Sequence, residues 1–299
     1  MELRQLRYFL KVAETLNFSE AAKMLCVTQS TLSQQIKQLE GELGTTLLSR
    51  SSHKVTLTEA GEAILPHAKQ AVGESEMCVE RIIDLNNMSA GSLSIGVTYS
   101  FGPILTETLQ MFMKAYPNVK LNIHYKPMSE LMELLKDGTL DFVLAFKPTD
   151  HVSGVDSHIL FQNCLSAIVG QHHPLAQKEK ITIAELFKYD LALPSKGLQA
   201  RNGFDMIISA HDKFRVRIEL NEVNILLKLI RQSMLVTVLA EATTYNEPGV
   251  KAIPLDIHDN EMAGCVHTLK GAYHKRSMKE FIKMLGESLA VKERQNAWI

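Results

Sequence analysis

One segment near the amino terminus, residues 17–44 (NFSEAAKMLCVTQSTLSQQIKQLEGELG), constrains the fold more than any other part of the chain. It is typical of two short helices around a tight turn, with N-caps at Ser19 and Thr28 and a stop at Gly44. In the second helix, leucine and isoleucine recur at steps of four, three and four from Leu32 onwards. This pattern predicts a helix-turn-helix, whose second helix enters the major groove of DNA.

The residues that follow predict a wing beside this motif. Leu47 and Leu48 precede the polar turn SSHK, and residues 55–58 alternate like a strand. Glutamine can pair with adenine edges, hydroxyls can bond bases or phosphates, and Lys or Arg suits phosphates. The candidate DNA-contacting residues are Thr28, Gln29, Ser30, Thr31, Ser33, Gln34, Lys37, Arg50, His53 and Lys54. The alternative is that part of this polar set simply faces water, as on any exposed helix.

Charge argues against a binder that relies on bulk attraction to phosphate. The net charge is -1, and Met1 to Ala60 holds seven Lys and Arg against six Asp and Glu. Affinity for DNA would then come from placed charges and from more than one copy. A long helix capped by Thr58 and running to about Met88 offers that second copy. From Leu57 to Leu85 it carries small and apolar residues at steps of four and three, as in a coiled-coil seam.

Beyond a linker at Asn86–Ser92, the pattern changes to alternating strands and helices. This alternation predicts a mostly parallel α/β sheet, and we find no internal sequence repeat. Ligands bind such sheets at the carboxyl ends of strands, where helix N-termini favour anions. The candidate effector-binding residues are Thr98, Tyr99, Ser100, Ser129, Ser195 and Arg201. Against this, serine and threonine at helix starts often cap the helix without any ligand.

Other chemistry is not indicated. The four cysteines have no metal-ligand spacing, and His172–His173 lies beside Pro174 without further ligands. We find no nucleophile elbow, Walker loop, zinc motif or paired carboxylates, so we expect no enzyme activity, no metal and no cofactor. No leader or membrane-spanning stretch is evident, and a reducing cytoplasm is expected.

The chain resembles the LysR-type transcriptional regulators over essentially its whole length. The matching stretches are ELRQLRYFLKVAE, FSEAAKMLCVTQSTLSQQIKQLEGELG, LLSR, LTEAG, GSLSIGV, LKDGTLDFVLA, HHPLA and MKEFIKML. The resemblance implies a bacterial α/β multidomain protein. Its expected parts are a winged helix-turn-helix (1–58), a linker dimerisation helix (59–90) and a two-lobed effector domain (91–299) like type 2 periplasmic binding proteins. Lobe 1 would comprise about 91–162 and 267–299, and lobe 2 about 163–266, joined by two crossover strands.

The same resemblance implies the partners. These are promoter DNA, a small anionic effector between the lobes, and further copies of the chain, as a homodimer through the linker helix and a homotetramer; no membrane is expected. Cys164 and Cys265 fall near the expected crossover strands, where they would be either a redox pair or, more simply, two buried thiols.

Three other functions compete with this prediction. They are an enzyme with a DNA-binding appendage, a solute-binding transport protein, and an architectural DNA binder without an effector. The first lacks a catalytic motif. The second would need a secretion signal and would not carry residues 1–88. The third leaves a domain of about 200 residues unexplained.

Overall fold

The computed structural model describes residues 1–50, 54–86, 91–208, 214–258 and 260–296. The chain divides into two compact units, Met1–Asn86 and Asn87–Ile299. No helix within the described ranges combines the length and the apolar character needed to cross a bilayer.

The N-terminal unit is a helix-turn-helix followed by a hairpin and a long helix. Its elements are α1 (Leu3–Thr15), α2 (Phe18–Met24), α3 (Gln29–Leu43), β1 (Leu48–Arg50), β2 (Val55–Leu57) and α4 (Glu59–Asn86). The core is closed by Phe9 of α1 and by Leu32, Ile36 and Leu39 of α3, which are all fully buried. The apolar repeat of α3 therefore faces the core, and the predicted helix-turn-helix and wing are confirmed.

One predicted cap is wrong. The N-cap of α2 is Asn17, whose Oδ1 accepts hydrogen bonds from the backbone N–H of Ser19 (2.9 Å) and of Glu20 (3.1 Å). Ser19 lies inside the first turn, so its hydroxyl is available for another partner. The cap of α3 is Thr28, as predicted, and Gly44 ends that helix at a φ of 68°.

The first part of helix α4 packs within the N-terminal unit. A Cβ built on Gly61 would lie 2.1 Å from the carbonyl oxygen of Leu47, so only glycine lets α4 begin this close to the wing. Ala68 of the predicted seam is 2% exposed within this unit, and so is unavailable to a partner. Further along, Val79 and Ile82 are 61% and 59% exposed. Ala68 of the seam is thus used within the unit, whereas Cys78 and Ile82, further along the seam, are exposed.

The C-terminal unit begins with lobe 1. Its first elements are β3 (Gly91–Val97), α5 (Gly102–Ala115), β4 (Val119–Tyr125), α6 (Met128–Lys136), β5 (Phe142–Phe146) and β6 (Val155–Asn163). The chain returns to this lobe with β12 (Met262–Leu269), α10 (Arg276–Glu287) and α11 (Leu289–Asn296), after the strands of lobe 2. The sheet order is β4-β3-β5-β12-β6, with β3 parallel to β4 and β5 and with β12 antiparallel to β5 and β6.

Lobe 2 lies between these two passes of the chain. Its elements are β7 (Leu165–Gly170), α7 (Ile183–Leu186), β8 (Asp190–Pro194), α8 (Gln199–Ile207), β9 (Arg215–Leu220), α9 (Val223–Arg231), β10 (Thr237–Ala240) and β11 (Val250–Pro254). Strands β10, β7 and β11 are antiparallel neighbours, and β8 is parallel to β9. A bridge joins the two sheets, because Ala192 donates to the Val236 carbonyl (3.0 Å) and Val236 donates to that of Asp190 (3.1 Å).

The joined order, β9-β8-β10-β7-β11, repeats the strand order of lobe 1. In each lobe a strand–helix–strand–helix–strand run builds three parallel strands, and two antiparallel strands complete the sheet. The repeat is one of topology and has no counterpart in the sequence. As a consequence, α5 and α8 begin at equivalent places. Each follows the middle one of the three parallel strands of its lobe, β3 or β8.

Some elements of the unit differ from the sequence reading. The pass along the sequence did not single out β6 or β11, and β12 begins five residues before the expected His267. Strand β6 lies at a sheet edge with four consecutive exposed residues, and β11 ends in proline, so neither shows a clean alternation. Helix α8 begins three residues before the expected Asn202.

Candidate nucleic-acid interface and effector site

The outward face of α3 carries a polar stripe. Ser30, Gln34 and Lys37 are exposed and lie at steps of four and three, opposite the buried Leu32 and Ile36. Three predicted DNA contacts therefore lie on one helix face, uncovered within the unit.

Other predicted contacts are engaged with neighbours at the start of α3. The Thr28 hydroxyl accepts from the Thr31 backbone N–H (3.2 Å) and lies 2.9 Å from the hydroxyl of Ser30. The Ser19 hydroxyl of α2 donates to Gln29 Oε1 (3.0 Å). These contacts fix the orientation of the first turn of α3 while leaving Thr28, Gln29 and Thr31 exposed.

Arg50 of the wing is drawn back onto α3. Its Nη1 donates to Ser33 Oγ (2.7 Å), and its guanidinium lies 4.4 Å from the centre of the Phe18 ring. Its Nη2 is 3.8 Å from a carboxylate oxygen of Glu40. The sequence reading missed Glu40, whose other oxygen accepts from Leu47 N (2.8 Å) and Leu48 N (3.2 Å). Arg50 and Ser33 are thus held together at the flank of the stripe, and Glu40 anchors the wing.

The rest of the wing is described in part. His53 lies outside the described residues. Lys54 is exposed, immediately before β2.

In the C-terminal unit, three predicted effector residues lie together where the lobes meet. Thr98, Tyr99 and Ser100 follow β3 and line a small cavity with Pro194 of lobe 2. Thr98 is buried, and its N–H donates to the Leu144 carbonyl (3.0 Å). The cavity volume is about 20 Å³, room for roughly one water molecule. The crevice is therefore closed around its candidate residues.

Gln199, the first residue of α8, holds the crevice closed. Its Oε1 accepts from the backbone N–H of Phe146 in lobe 1 (3.1 Å), and its Nε2 donates to the Phe146 carbonyl (2.8 Å). The same Nε2 lies 2.8 Å from Met128 Sδ. The sequence reading missed this residue, because the signal is a pairing between two lobes and not a local motif.

A larger cavity adjoins this contact. It measures about 1020 Å³, and Met128 and Gln199 line both cavities. Ser129 and Lys147 are among its other lining residues. The prediction that Ser129 caps α6 is wrong. The N-cap is Pro127, which leaves the Ser129 side chain in the first turn facing this cavity.

The two remaining candidates lie elsewhere in lobe 2. Arg201 is 7% exposed, and its guanidinium donates to Asp205 (2.8 Å), Glu219 (2.7 Å) and the Pro194 carbonyl (3.0 Å). Neither Arg201 nor Ser195 is among the described residues that line the two cavities. Arg201 is a buried cation whose donors are used within the lobe.

The crossover strands hold a buried histidine. His267 of β12 is fully buried, with Nε2 3.2 Å from the Ala145 carbonyl and Nδ1 2.8 Å from Ser157 Oγ. A carbonyl can only accept, so Nε2 carries the proton and Nδ1 accepts from the serine hydroxyl. Burial lowers the pKa of His267, and the hydrogen bonds to backbone carbonyls oppose this shift.

The suggested redox pair is wrong. Cys265 of β12 is paired with Ile159 of β6, five residues before Cys164. At about 3.3 Å a residue this separates the two cysteines by about 16 Å along the strands, well beyond disulfide reach. Burial raises the pKa of Cys265 to about 11 and also raises that of Cys164, so both thiols stay protonated. Among the described residues no group of three His, Cys, Asp or Glu side chains could hold a metal ion.

Fold and sites together define a winged helix-turn-helix protein with a two-lobed α/β unit. Residues 3–62 match the family model "Bacterial regulatory helix-turn-helix protein, lysR family", and residues 86–290 match "LysR substrate binding domain". The chain belongs to the LysR family.

Individual relatives agree with this assignment. The chain is 37% identical over 190 residues to the uncharacterized HTH-type transcriptional regulator YnfL of Escherichia coli, covering 63% of this chain and 64% of YnfL. It is 38% identical over 190 residues to the HTH-type transcriptional regulator AlsR of Bacillus subtilis, covering 62% of each protein. The chain thus matches just under two thirds of the length of these relatives, both of which are named regulators and not enzymes.

A solved structure shares the fold over nearly the whole chain. Full-length CbnR complexed with its target DNA has a TM-score of 0.68 at 22% identity, covering 96% of this chain and 99% of that one.

Proposed function

We propose that this chain is a sequence-specific transcriptional regulator that binds promoter DNA and is tuned by a small anionic effector. The observation that carries the proposal is the exposed stripe on α3, in a chain that also has a two-lobed unit with a closed crevice. The proposed parts are residues 1–58 for DNA, 59–90 for dimerisation and 91–299 for the effector. Within the last, lobe 1 comprises about 91–162 and 267–299.

The chemistry of α3 supports direct reading of bases. Gln34 lies at the centre of the stripe, where its amide can pair bidentately with an adenine. Lys37, one turn further on, suits a phosphate. Arg50 already contacts Ser33, so it would meet DNA as part of a fixed pair at the edge of the groove.

A second copy of the chain fits both the charge and the surface. With a net charge of -1, a single copy has little bulk attraction for DNA. Cys78 and Ile82 of the predicted seam are exposed, and Val79 beside them exposes a further apolar side chain. Pairing of two α4 helices would cover these residues and present two copies of α3. A dimer of such dimers would give the homotetramer implied by the family.

The crevice supports an anionic effector. The Phe146 N–H and the Gln199 Nε2 now bond within the protein, but a carboxylate entering between the lobes could accept from both. Lys147 adds a positive charge to the adjoining cavity, and α6 points its N-terminus there with Met128 and Ser129. Because Gln199 bonds to Phe146 across the crevice, binding between these residues would require that contact to open and the lobes to move.

DNA reading is tested by fluorescence anisotropy on a duplex selected from a random library by the wild-type full chain. Gln34→Ala should lose about tenfold in preference for the selected duplex over a scrambled one. Lys37→Ala should weaken binding to both duplexes alike and reduce the salt slope by about one. Gln38→Ala is the control, because its side chain bonds to Gln35 on the same helix. Wild-type behaviour of both Gln34→Ala and Lys37→Ala would contradict the assignment.

Effector binding is tested by a thermal-shift screen of small carboxylates against the full chain. A specific ligand raises Tm in a concentration-dependent way. A hit whose shift survives in Ser129→Ala, Lys147→Ala and Gln199→Leu alike would not bind in the proposed crevice.

A further inference from the structure

A carboxylate holds the wing against the second helix of the helix-turn-helix. Glu40 of α3 has a side chain that is only 11% exposed. One of its oxygens accepts from the backbone N–H of Leu47 (2.8 Å) and of Leu48 (3.2 Å), where β1 begins. The other oxygen lies 3.8 Å from Nη2 of Arg50, where β1 ends. By its charge alone, this carboxylate would oppose the approach of DNA phosphates.

Arg50 lies along α3 between two side chains of that helix. Ser33 and Glu40 are separated by about two helical turns, so they lie on the same face of α3. Nη1 of Arg50 donates to Ser33 Oγ (2.7 Å), while Nη2 faces Glu40. The guanidinium carbon also lies 4.4 Å from the centre of the Phe18 ring of α2. Contacts with two helices therefore fix this arginine, and they use a planar fork that a lysine does not have.

The contact with Arg50 also fixes the role of the Ser33 hydroxyl. A guanidinium can only donate, so the serine oxygen accepts from it. The hydroxyl proton of Ser33 is then left to donate, and none of the described hydrogen bonds uses it. Ser33 is partly exposed at the flank of the polar stripe, and the Arg50 side chain is 32% exposed. Two donors, a hydroxyl and a guanidinium, thus lie side by side and within reach of an outside acceptor.

We propose that Glu40 is a positioning residue for DNA binding, which holds Arg50 and Ser33 as a two-donor clamp for one DNA phosphate. A phosphate presents two free oxygens, so it can accept from both groups at once. A phosphate is favoured over a base because Ser33 lies beside the polar stripe of α3, next to the wing, and not on the stripe itself. The inference rests on the proposed DNA reading, and it adds that an acidic residue raises the affinity for DNA.

The sign of one substitution separates positioning from plain charge. Glu40→Gln removes a negative charge and keeps an oxygen that can accept from Leu47 and Leu48. Plain electrostatics predicts tighter binding of DNA to this variant. Loss of the hold on Arg50 predicts binding to the selected duplex that is about fivefold weaker. Glu42→Gln is the matched control, because Glu42 is an exposed carboxylate of the same helix that pairs with the amino terminus of the chain. It should bind as tightly as wild type or more tightly.

A scan with single methylphosphonates locates the contact. Fluorescence anisotropy of the full chain is measured on the selected duplex with one phosphate at a time made neutral. At one position or more, this change should weaken the binding of wild type about tenfold, but that of Ser33→Ala and Glu40→Gln about threefold or less, because their clamp is already impaired. Glu42→Gln should show the wild-type pattern. Ser33→Ala carries the test even if Glu40→Gln lowers Tm, since alanine is well tolerated at a partly exposed helix position.

The inference is overturned if a stably folded Glu40→Gln binds the selected duplex as tightly as Glu42→Gln, or if no neutralised phosphate distinguishes Ser33→Ala from wild type. It is also overturned if the distinction appears instead when 7-deazaguanine replaces guanine, because the pair would then read a base. In each of these cases the preference of wild type for the selected duplex over a scrambled one would remain, and with it the proposed DNA reading. Absence of that preference in wild type would overturn both.

Discussion

Replacing Gln199 with leucine should open the crevice between the lobes. The side chain makes two hydrogen bonds to the backbone of Phe146, at 3.1 Å and 2.8 Å, across the lobe boundary. Phe146 is 1% exposed, so in the closed state its N–H and C=O would lose their cross-lobe partner and have no water to replace it. Each such loss costs about 1–3 kcal/mol.

The magnitude follows from these two bonds. A total of about 2 kcal/mol, the low end of the range, acts on the closed state only, because both groups regain water when the lobes separate. The ratio of closed to open molecules should therefore fall about 30-fold, since 1.4 kcal/mol is a factor of ten. The expected result is a more open unit, with only a modest loss of overall stability.

Hydrogen–deuterium exchange measures this directly at the Phe146 amide. We expect its protection factor to fall by about 30-fold in Gln199→Leu, with the amides of lobe 2 strands such as β7 unchanged. Gln162→Leu is the matched control, because Gln162 lines the adjoining large cavity, and none of the described hydrogen bonds involves its side chain. Equal protection at Phe146 in the two variants would refute the view that Gln199 holds the lobes together.

Three further predictions concern stability. Gly61→Ala should lower the free energy of unfolding in urea by about 1–3 kcal/mol, because its Cβ would lie 2.1 Å from the Leu47 carbonyl oxygen. Gly73→Ala, in the same helix but with open space around it, should raise the free energy of unfolding by up to about 1 kcal/mol. Equal effects of the two substitutions would contradict the close approach at Gly61. Arg201→Met should lower the free energy of unfolding by about 2–3 kcal/mol, since two carboxylates and a carbonyl lose their donor. A smaller loss of unfolding free energy than in a variant of an exposed arginine would contradict this prediction. Burial lowers the folded-state pKa of His267 below the unfolded value of about 6.5. The free energy of unfolding should therefore be full above that pH and fall as the pH drops below it, because the unfolded chain then binds the proton more readily. The urea midpoints at pH 7.5 and 5.5 should differ less in His267→Gln than in wild type.

The N-terminal unit could be predicted largely from local sequence. The apolar spacing of α3, the Thr28 cap and the Gly44 stop each depend on neighbours within one or two turns, and the structure has them as predicted. The misassigned N-cap of α2 shows the limit of this reasoning. Asn17 and Ser19 are both good caps; the Asn17 side chain caps the helix, and the Ser19 hydroxyl donates instead to Gln29 of the next helix.

The candidate site in the C-terminal unit was less predictable from the sequence, for a physical reason. Thr98, Tyr99 and Ser100 follow a buried strand, which a sequence shows, and they do lie in the crevice. Arg201 has the same chemistry in the sequence as any ligand-binding arginine. Asp205 lies one turn further along α8, but the second carboxylate, Glu219, and the burial of Arg201 come from the folding of α8 against β9.

By itself, the sequence determined the helix-turn-helix, the wing, the long following helix and the alternation of strands and helices. These depend on periodicity and on caps, which act over a few residues. Only the tertiary structure decided that Gln199 bonds to Phe146, that the two lobes repeat one strand order, and that Thr98 and Pro194 line one cavity. Gln199 and Phe146 are 53 residues apart, and the residues around the cavity come from both lobes. Their meeting is set by how sheets and helices pack, to which no local pattern in the chain corresponds.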